Sequence, residues 1–123
     1  GLRALLNFGH TFGHAIEAVE AYKGLKHGEA VAVGMIIASR LSEVLGFISN
    51  DVRRRIENLI QKAQLPMAIP KEIDRDEFWI AMLKDKKNDQ GFVKYILLNA
   101  LGQAELKSDI SRKTVEEVLN QFF

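Results

Sequence analysis

The chain has no cysteine, so no disulfide braces it and no thiolate is available to hold a metal; a reducing compartment is expected. It also lacks an excess of charge of either sign. Lysine and arginine number 17 against 16 aspartates and glutamates, which leaves neither a basic footprint for nucleic acid nor an acidic tail. Long apolar runs are missing too: the longest, Ala30 to Ala38 with Gly34 inside it, is far short of the roughly 20 residues that span a bilayer. No signal pattern precedes it. A soluble protein with no nucleic-acid and no membrane partner is expected. Proline occurs only as Pro66 and Pro70, and neither an internal repeat nor a low-complexity segment is found.

The remainder is the complement of an ordinary globular domain: 123 residues, 47% hydrophobic and 27% charged, enough for one real core. The histidines are not ordinarily distributed. All three, His10, His14 and His27, fall in Asn7 to Glu29, which reads NFGHTFGHAIEAVEAYKGLKHGE. The chain opens with Gly1 rather than Met and enters this segment at once, which reads as a piece of a longer polypeptide.

If residues 3 to 20 form one helix, Arg3, Asn7, His10, His14 and Glu17 share an arc of about 80°, while Leu5, Phe8, Phe12, Ala15, Ile16 and Val19 lie roughly opposite. A merely wet face usually carries Lys, Glu and Gln; this one uses mostly Asn and His. Gly9 and Gly13, each costing about 1 kcal/mol relative to Ala inside a helix, imply that another backbone or a ligand comes close. The helix should end near Tyr22, with Lys23 and Gly24 as its C-terminal pair.

A second helix follows His27, with Glu29 in its first turn. Its AVAVGMIIASRLSEVLGF block is apolar nearly all round until Arg40, as suits the buried centre of a domain, and Gly46 closes it. Ser49 or Asn50 caps a third helix whose Val52, Ile56, Leu59, Ile60 and Ala63 recur at helical spacing; its arginines 53 to 55 read most simply as a solvated face. Residues 65 to 73, with both prolines, form an extended connection. Asp74 or Asp76 opens a fourth helix packing through Phe78, Trp79, Met82 and Leu83 and running out at Asp85-Lys86-Lys87-Asn88. Phe92 to Asn99 and Ala104 to Lys107 pair as a hairpin across Leu101-Gly102, and Ser111 caps a last helix to Phe122. The fold class is therefore mainly α, a helical bundle with one small β-hairpin near residues 92–107.

His10 and His14, four apart on a helix, present both imidazoles to one side, as zinc-protease helices do, but Thr11 stands where the protease motif has its glutamate. His27, at the positive end of the second helix, is favoured as the neutral imidazole that binds metal. If the first helix runs straight from His10 to Ala21, it carries the chain about 16 Å away. The six residues onward to His27 recover at most about 20 Å, so the link must double back or the helix must end early. A catalytic metal also needs a third protein ligand, for which His14, Glu17, Glu29 or a carboxylate outside the chain are the alternatives. Lys86 and Lys87 could reach an anionic group alongside Arg3; as two exposed lysines at a helix end they have a simpler reading.

The motifs NFGHTFGHAIE and HGEAVAVGM, then DKKND with a following glycine and YILL, resemble the C-terminal domain of the 3-dehydroquinate synthase family. The resemblance runs from the first residues to the last helix. It implies that residues 1–123 are the helical metal- and substrate-binding domain of an enzyme whose N-terminal NAD-binding α/β domain is absent from this chain. It implies a divalent metal, zinc or cobalt, held by His10 and His27 with a glutamate upstream of Gly1. His14 would contact substrate, and Arg3, Asn7 and Lys86 or Lys87 would hold its carboxylate and phosphate ends, with His14 and the lysines as catalytic candidates.

The implied reaction converts 3-deoxy-D-arabino-heptulosonate 7-phosphate to 3-dehydroquinate and phosphate. The C5 hydroxyl is transiently oxidised with NAD, phosphate is eliminated, the carbonyl is reduced again and the ring closes by an aldol step. Such an enzyme belongs to the shikimate pathway of aromatic amino acid and chorismate biosynthesis, is cytoplasmic and is usually a homodimer. Without the missing half, this chain alone should bind metal weakly and turn over nothing. Three rivals stand beside this reading: sugar-phosphate cyclases such as 2-deoxy-scyllo-inosose synthase, metal-dependent dehydrogenases of the glycerol dehydrogenase type, and a helical interaction domain with incidental histidines.

Overall fold

The computed structural model describes residues 8–21, 23–88, 95–100 and 103–123, with the side chains of 85–88 and 100 excepted. Five helices and a two-stranded hairpin occur among them, in the order α1 (His10–Val19), α2 (His27–Val44), α3 (Asn50–Lys62), α4 (Arg75–Asn88), β1 (Tyr95–Ala100), β2 (Gln103–Lys107) and α5 (Arg112–Leu119). The strands pair antiparallel from Tyr95 opposite Lys107 to Leu98 opposite Ala104, and after a register shift between Leu98 and Ala100 the last pair is Ala100 opposite Gln103. Residues 92–94 and the Leu101-Gly102 turn itself lie outside the described residues.

Helix α2 is the axle of the domain, as its nearly all-round apolar sequence requires. Val33, Ile37 and Leu41 enter the main core with Phe12 and Ile16 of α1, Phe78 and Met82 of α4, Leu97 of β1 and Val115 and Leu119 of α5. On another face, Ala32 and Ile36 meet Ile60 of α3 in a second, smaller cluster. Burial among these side chains also raises the Tyr95 phenol above its ordinary range. The hairpin is fastened to the axle by Ser42, whose Oγ donates to the Ala38 carbonyl at 2.8 Å and accepts from the Leu98 N–H at 3.0 Å.

Local signals set most helix starts. Ser49 and Ser111 accept from the N–H groups of Val52 and Thr114 at 3.2 Å, and Asp74 accepts from those of Asp76 and Glu77 at 3.0 and 3.1 Å. The Glu29 carboxylate reaches back to the Lys26 N–H at 2.9 Å and fixes the first turn of α2. Gly46, at φ +80°, follows the end of α2 in the left-handed region that closes helices.

Five expectations are corrected. A continuous helix from residue 3 to residue 20 is excluded, because Gly9 sits at φ +86° and α1 begins only at His10. The same helix stops at Val19 rather than Tyr22, which lies outside the described residues, and the left-handed residue is Ala21 at φ +52° rather than Gly24. That conformation costs a non-glycine residue about 1–2 kcal/mol. It is offset by a turn in which Glu20 accepts from the Leu25 N–H at 3.0 Å and sends the chain back.

On α3, only Ile60 is fully buried and Val52 and Ile56 are half-buried, while Leu59 is 63% exposed and Ala63 is exposed. The stripe that meets α2 is narrower than the spacing implies. The arginines of α3 also divide: Arg54 and Arg55 face solvent, but Arg53 is half-buried between Glu43 and Glu57. Finally, α5 ends at Leu119, three residues before Phe122.

Candidate metal centre

The histidines meet because two helices cross at glycine. A Cβ on Gly34 of α2 would collide with the Gly9 carbonyl oxygen, well inside van der Waals contact, and lie 2.8 Å from the Gly13 nitrogen. One on Gly13 would lie 3.1 Å from the Ala30 carbonyl oxygen, and one on Gly9 would lie 2.8 Å from the Met35 nitrogen and the Val31 carbonyl oxygen. The close approach that the glycines imply is therefore that of one backbone to another. With nothing larger than hydrogen between them, the start of α1 rests on the first half of α2. His10, the first residue of α1, is thereby brought beside His27, the first of α2.

The link that a straight, long helix would make difficult is solved by the early stop of α1 and the reversal at Ala21. The His10 and His27 ring centroids are 5.5 Å apart, those of His10 and His14 5.3 Å, and those of His14 and His27 6.3 Å. An imidazole bound to zinc at about 2.0–2.1 Å places its centroid about 3.2 Å from the ion. Two such rings at a roughly tetrahedral angle have centroids about 5.2 Å apart, and the wider His14–His27 spacing demands a wider angle.

The nitrogens differ in their surroundings. His10 Nδ1 is buried and has no hydrogen-bond partner, an arrangement that a protein avoids unless the atom has other work. His27 Nδ1 lies 3.0 and 3.2 Å from the two carboxylate oxygens of Glu17, which is only 6% exposed. His14 is exposed.

Of the alternatives for a third ligand within the chain, Glu17 is thus engaged by His27 and Glu29 by the cap of α2. Among the described residues, no group of three or more His, Cys, Asp or Glu side chains is arranged to hold an ion. Arg3 and Asn7 lie outside the described residues, as do the side chains of Lys86 and Lys87. The backbone of those lysines falls in the last turn of α4, and Tyr95 of β1 belongs to the core, where its ring stacks on Phe12 at 5.7 Å.

The family model described as 3-dehydroquinate synthase C-terminal matches residues 1–88. The chain belongs to this family. Within the 3-dehydroquinate synthase family it is similar to the synthase of Dichelobacter nodosus (strain VCS1703A), with 44% identity over 119 residues, 97% of this chain and 32% of the relative. It is similar also to the synthase of Campylobacter curvus (strain 525.92), with 48% identity over 124 residues, 99% of this chain and 35% of the relative. The chain spans about a third of the length of these curated relatives.

Among solved structures, 2-epi-5-epi-valiolone synthase of Streptomyces hygroscopicus subsp. jinggangensis 5008, with NAD+ and Zn2+ bound, superposes with a TM-score of 0.82 at 25% identity over 94% of this chain and 32% of that one. A 2-deoxy-scyllo-inosose synthase complexed with carbaglucose-6-phosphate, NAD+ and Co2+ gives 0.81 at 28% identity over 95% and 34%. The mainly helical fold with one hairpin is thus that of the corresponding part of these enzymes.

The residue that sequence reasoning under-read is Glu17. It lay on the polar stripe as one candidate ligand among several; the structure pairs it with an imidazole ten residues away. Helical spacing carries no signal of that contact, because it depends on the reversal after Val19.

Proposed function

We propose that the chain is the metal- and substrate-binding part of a 3-dehydroquinate synthase, acting on 3-deoxy-D-arabino-heptulosonate 7-phosphate to give 3-dehydroquinate and phosphate in the shikimate pathway of the cytoplasm. The observation that carries this reading is the 5.5 Å separation of the His10 and His27 rings, from two helices, at a spacing that suits a shared cation. The unpartnered Nδ1 of His10 and the carboxylate on His27 Nδ1 are the environments of working imidazoles rather than of incidental ones. Identity favours the synthase over the cyclases: the synthases above share 44% and 48% with this chain, the structurally similar cyclases 25% and 28%.

In this proposal His10 and His27 hold a divalent cation, zinc or cobalt, together with a glutamate from a part of the polypeptide preceding Gly1, which also carries NAD. When bound, the two cofactors supply polarisation of the reacting alcohol or ketone and a hydride acceptor that returns what it takes. The rest falls to side chains of this chain. His14, exposed and one turn beyond His10, is set to donate to or accept from substrate oxygens. Arg3, Asn7 and Lys86 or Lys87 fix the carboxylate and phosphate ends, so that orientation and charge complementarity supply much of the rate. The whole enzyme is proposed to be a homodimer.

The test is zinc titration of the natural full-length protein against its His10→Ala and His27→Ala variants, alongside turnover of the heptulosonate phosphate and of heptulose phosphates lacking the carboxylate. Both variants should lose zinc affinity by at least 100-fold, and only the carboxylated substrate should turn over. Equal zinc affinity in all three proteins would return the histidines to an incidental role. Preference for a substrate without the carboxylate would point to a cyclase instead. Residues 1–123 alone should show no synthase activity, and a measurable rate from them would defeat the assignment of essential groups elsewhere.

A further inference from the structure

Glu17 stands out among the groups to which the proposed reaction assigns no part. It is a carboxylate at 6% exposure on the stripe of α1 that also carries His10 and His14, and burying an anion is costly unless it is paired. Its recorded partner is a histidine whose side chain is 60% exposed, with one ring nitrogen shared between both carboxylate oxygens at 3.0 and 3.2 Å. An arrangement that sinks the acid and leaves the imidazole at the surface is a poor device for stability, since an exposed partner returns little. It is a good device for holding an imidazole in one orientation and one tautomer.

Resting on the metal reading above, we propose that Glu17 is the positioning residue of His27. It accepts from Nδ1–H, so that Nε2 carries the lone pair for the cation, and it is not itself a ligand. Three observations converge on this. Both Glu17 oxygens are turned to Nδ1. His27 is the first residue of α2, fixed by the Glu29 bond to the Lys26 N–H, so its backbone is settled and the ring is what remains to be oriented. The His10 ring, which would share the ion, lies 5.5 Å away and has no comparable acid on its own Nδ1. The two proposed ligands therefore differ in what faces Nδ1: at His10 a buried position with no hydrogen-bond partner, at His27 a carboxylate that holds the ring by a charge-assisted hydrogen bond.

The experiment uses the natural full-length protein and its Glu17→Gln, Glu17→Asp and Glu17→Ala variants. Zinc affinity is read by competition with a chromophoric chelator, and the His27 tautomer by long-range proton–nitrogen NMR of the metal-free protein at alkaline pH. Circular dichroism identifies any variant that does not fold. In the wild type His27 should carry its proton on Nδ1, and in Glu17→Ala it should become a mixture. Zinc affinity should fall about 10- to 100-fold in Glu17→Ala and less in Glu17→Gln, whose amide oxygen can still accept from Nδ1–H. Glu17→Asp, shortened by one methylene, should behave like Glu17→Ala. If Glu17→Ala does not fold, the Gln and Asp variants carry the same contrast between retained and lost acceptance.

Unchanged zinc affinity in folded variants, or an Nδ1 lone pair in the wild type, would overturn the role of Glu17 alone. A Glu17→Gln loss as large as that of His27→Ala would make Glu17 a ligand and overturn it too. A wild type that takes up no zinc while His27 keeps its proton on Nδ1 would defeat the metal reading, and with it the purpose assigned to Glu17.

Discussion

Helix α2 meets polar side chains on two sides, and the two contacts are built in opposite ways. Toward α3, Arg53 bonds both Glu43 and Glu57, Glu57 accepts from Arg40 at 3.2 Å, Asn50 donates to Glu43 at 3.0 Å, and Arg40 reaches Gln121 at 3.1 Å and stacks over Phe122. Both carboxylates there are matched by cations of the same network. Toward α1 the backbones touch through glycine, and three imidazoles stand close together, one of them, His10, with a buried Nδ1 that has no hydrogen-bond partner. A network whose carboxylates are matched by its own cations is a fastening, although the Arg40 Nε within it is buried without a partner. Three imidazoles gathered at a crossing with no room to adjust are where a ligand is to be sought.

The most severe way to break the glycine crossing is Gly34→Ala. Its Cβ would collide with the Gly9 carbonyl and the Gly13 nitrogen, both backbone atoms, so the helices must separate. A loss of about 3 kcal/mol or more is expected in chemical denaturation. Gly28→Ala is the control. A Cβ there meets nothing within 4 Å, and the change should leave stability the same or raise it by up to about 1 kcal/mol. Similar losses in the two variants would mean that the glycines act through flexibility rather than through the space at the crossing.

On the α3 side, Arg53→Met should have a smaller effect, because the network is only part-buried, with side-chain exposures of 18% for Arg53, 28% for Glu43 and 12% for Glu57. Roughly 1–2 kcal/mol is expected, between the exposed and the fully buried limits for an ion pair. Zinc affinity should not change, whereas Gly34→Ala should abolish it. That separation of readouts is the sharpest test of the division between fastening and site.

The smallest effect is a dependence on pH. Bonding from Asn50 and then from Arg53 holds the Glu43 carboxyl below its ordinary value of 4.5, despite some opposing desolvation. A carboxyl depressed in the folded state contributes stability that is fully present above its unfolded value and is lost as pH falls through the folded one. Thermal unfolding of the wild type should therefore weaken on the acid side of 4.5. Glu43→Gln should flatten that limb and leave the curve at neutral pH shifted but parallel. An unaltered acid limb in the variant would show that other carboxylates set it.

Several of these features could be read before folding. The N-caps at Ser49, Asp74 and Ser111 are local: the side chain that stops the preceding segment is a neighbour of the N–H it satisfies. That two strands pair here as a hairpin follows from alternation and a short turn, but the register does not, since it shifts between Leu98 and Ala100. That Gly9 and Gly13 mark a close approach was legible because a glycine in an otherwise helical pattern is costly without a reason. What escaped was whatever depends on a partner distant in sequence. Arg53 reads as a wet arginine until Glu43 is placed opposite, and Leu59 reads as core until α3 is seen to touch α2 along a narrow strip. Gly9 was legible as a glycine but not as the residue whose left-handed turn starts α1 at His10.

By itself the sequence determined the kind of chemistry available: three imidazoles in one short segment, no thiolate, an apolar axle and the glycines that let a second backbone lie against it. Those are properties of residue type and spacing, and they hold in any conformation. Only the tertiary structure decided which groups face one another, because the reversal at Ala21 and the crossing at Gly34 turn separations along the chain into distances in space. It set the His10 and His27 rings 5.5 Å apart and gave the Glu17 carboxylate to His27.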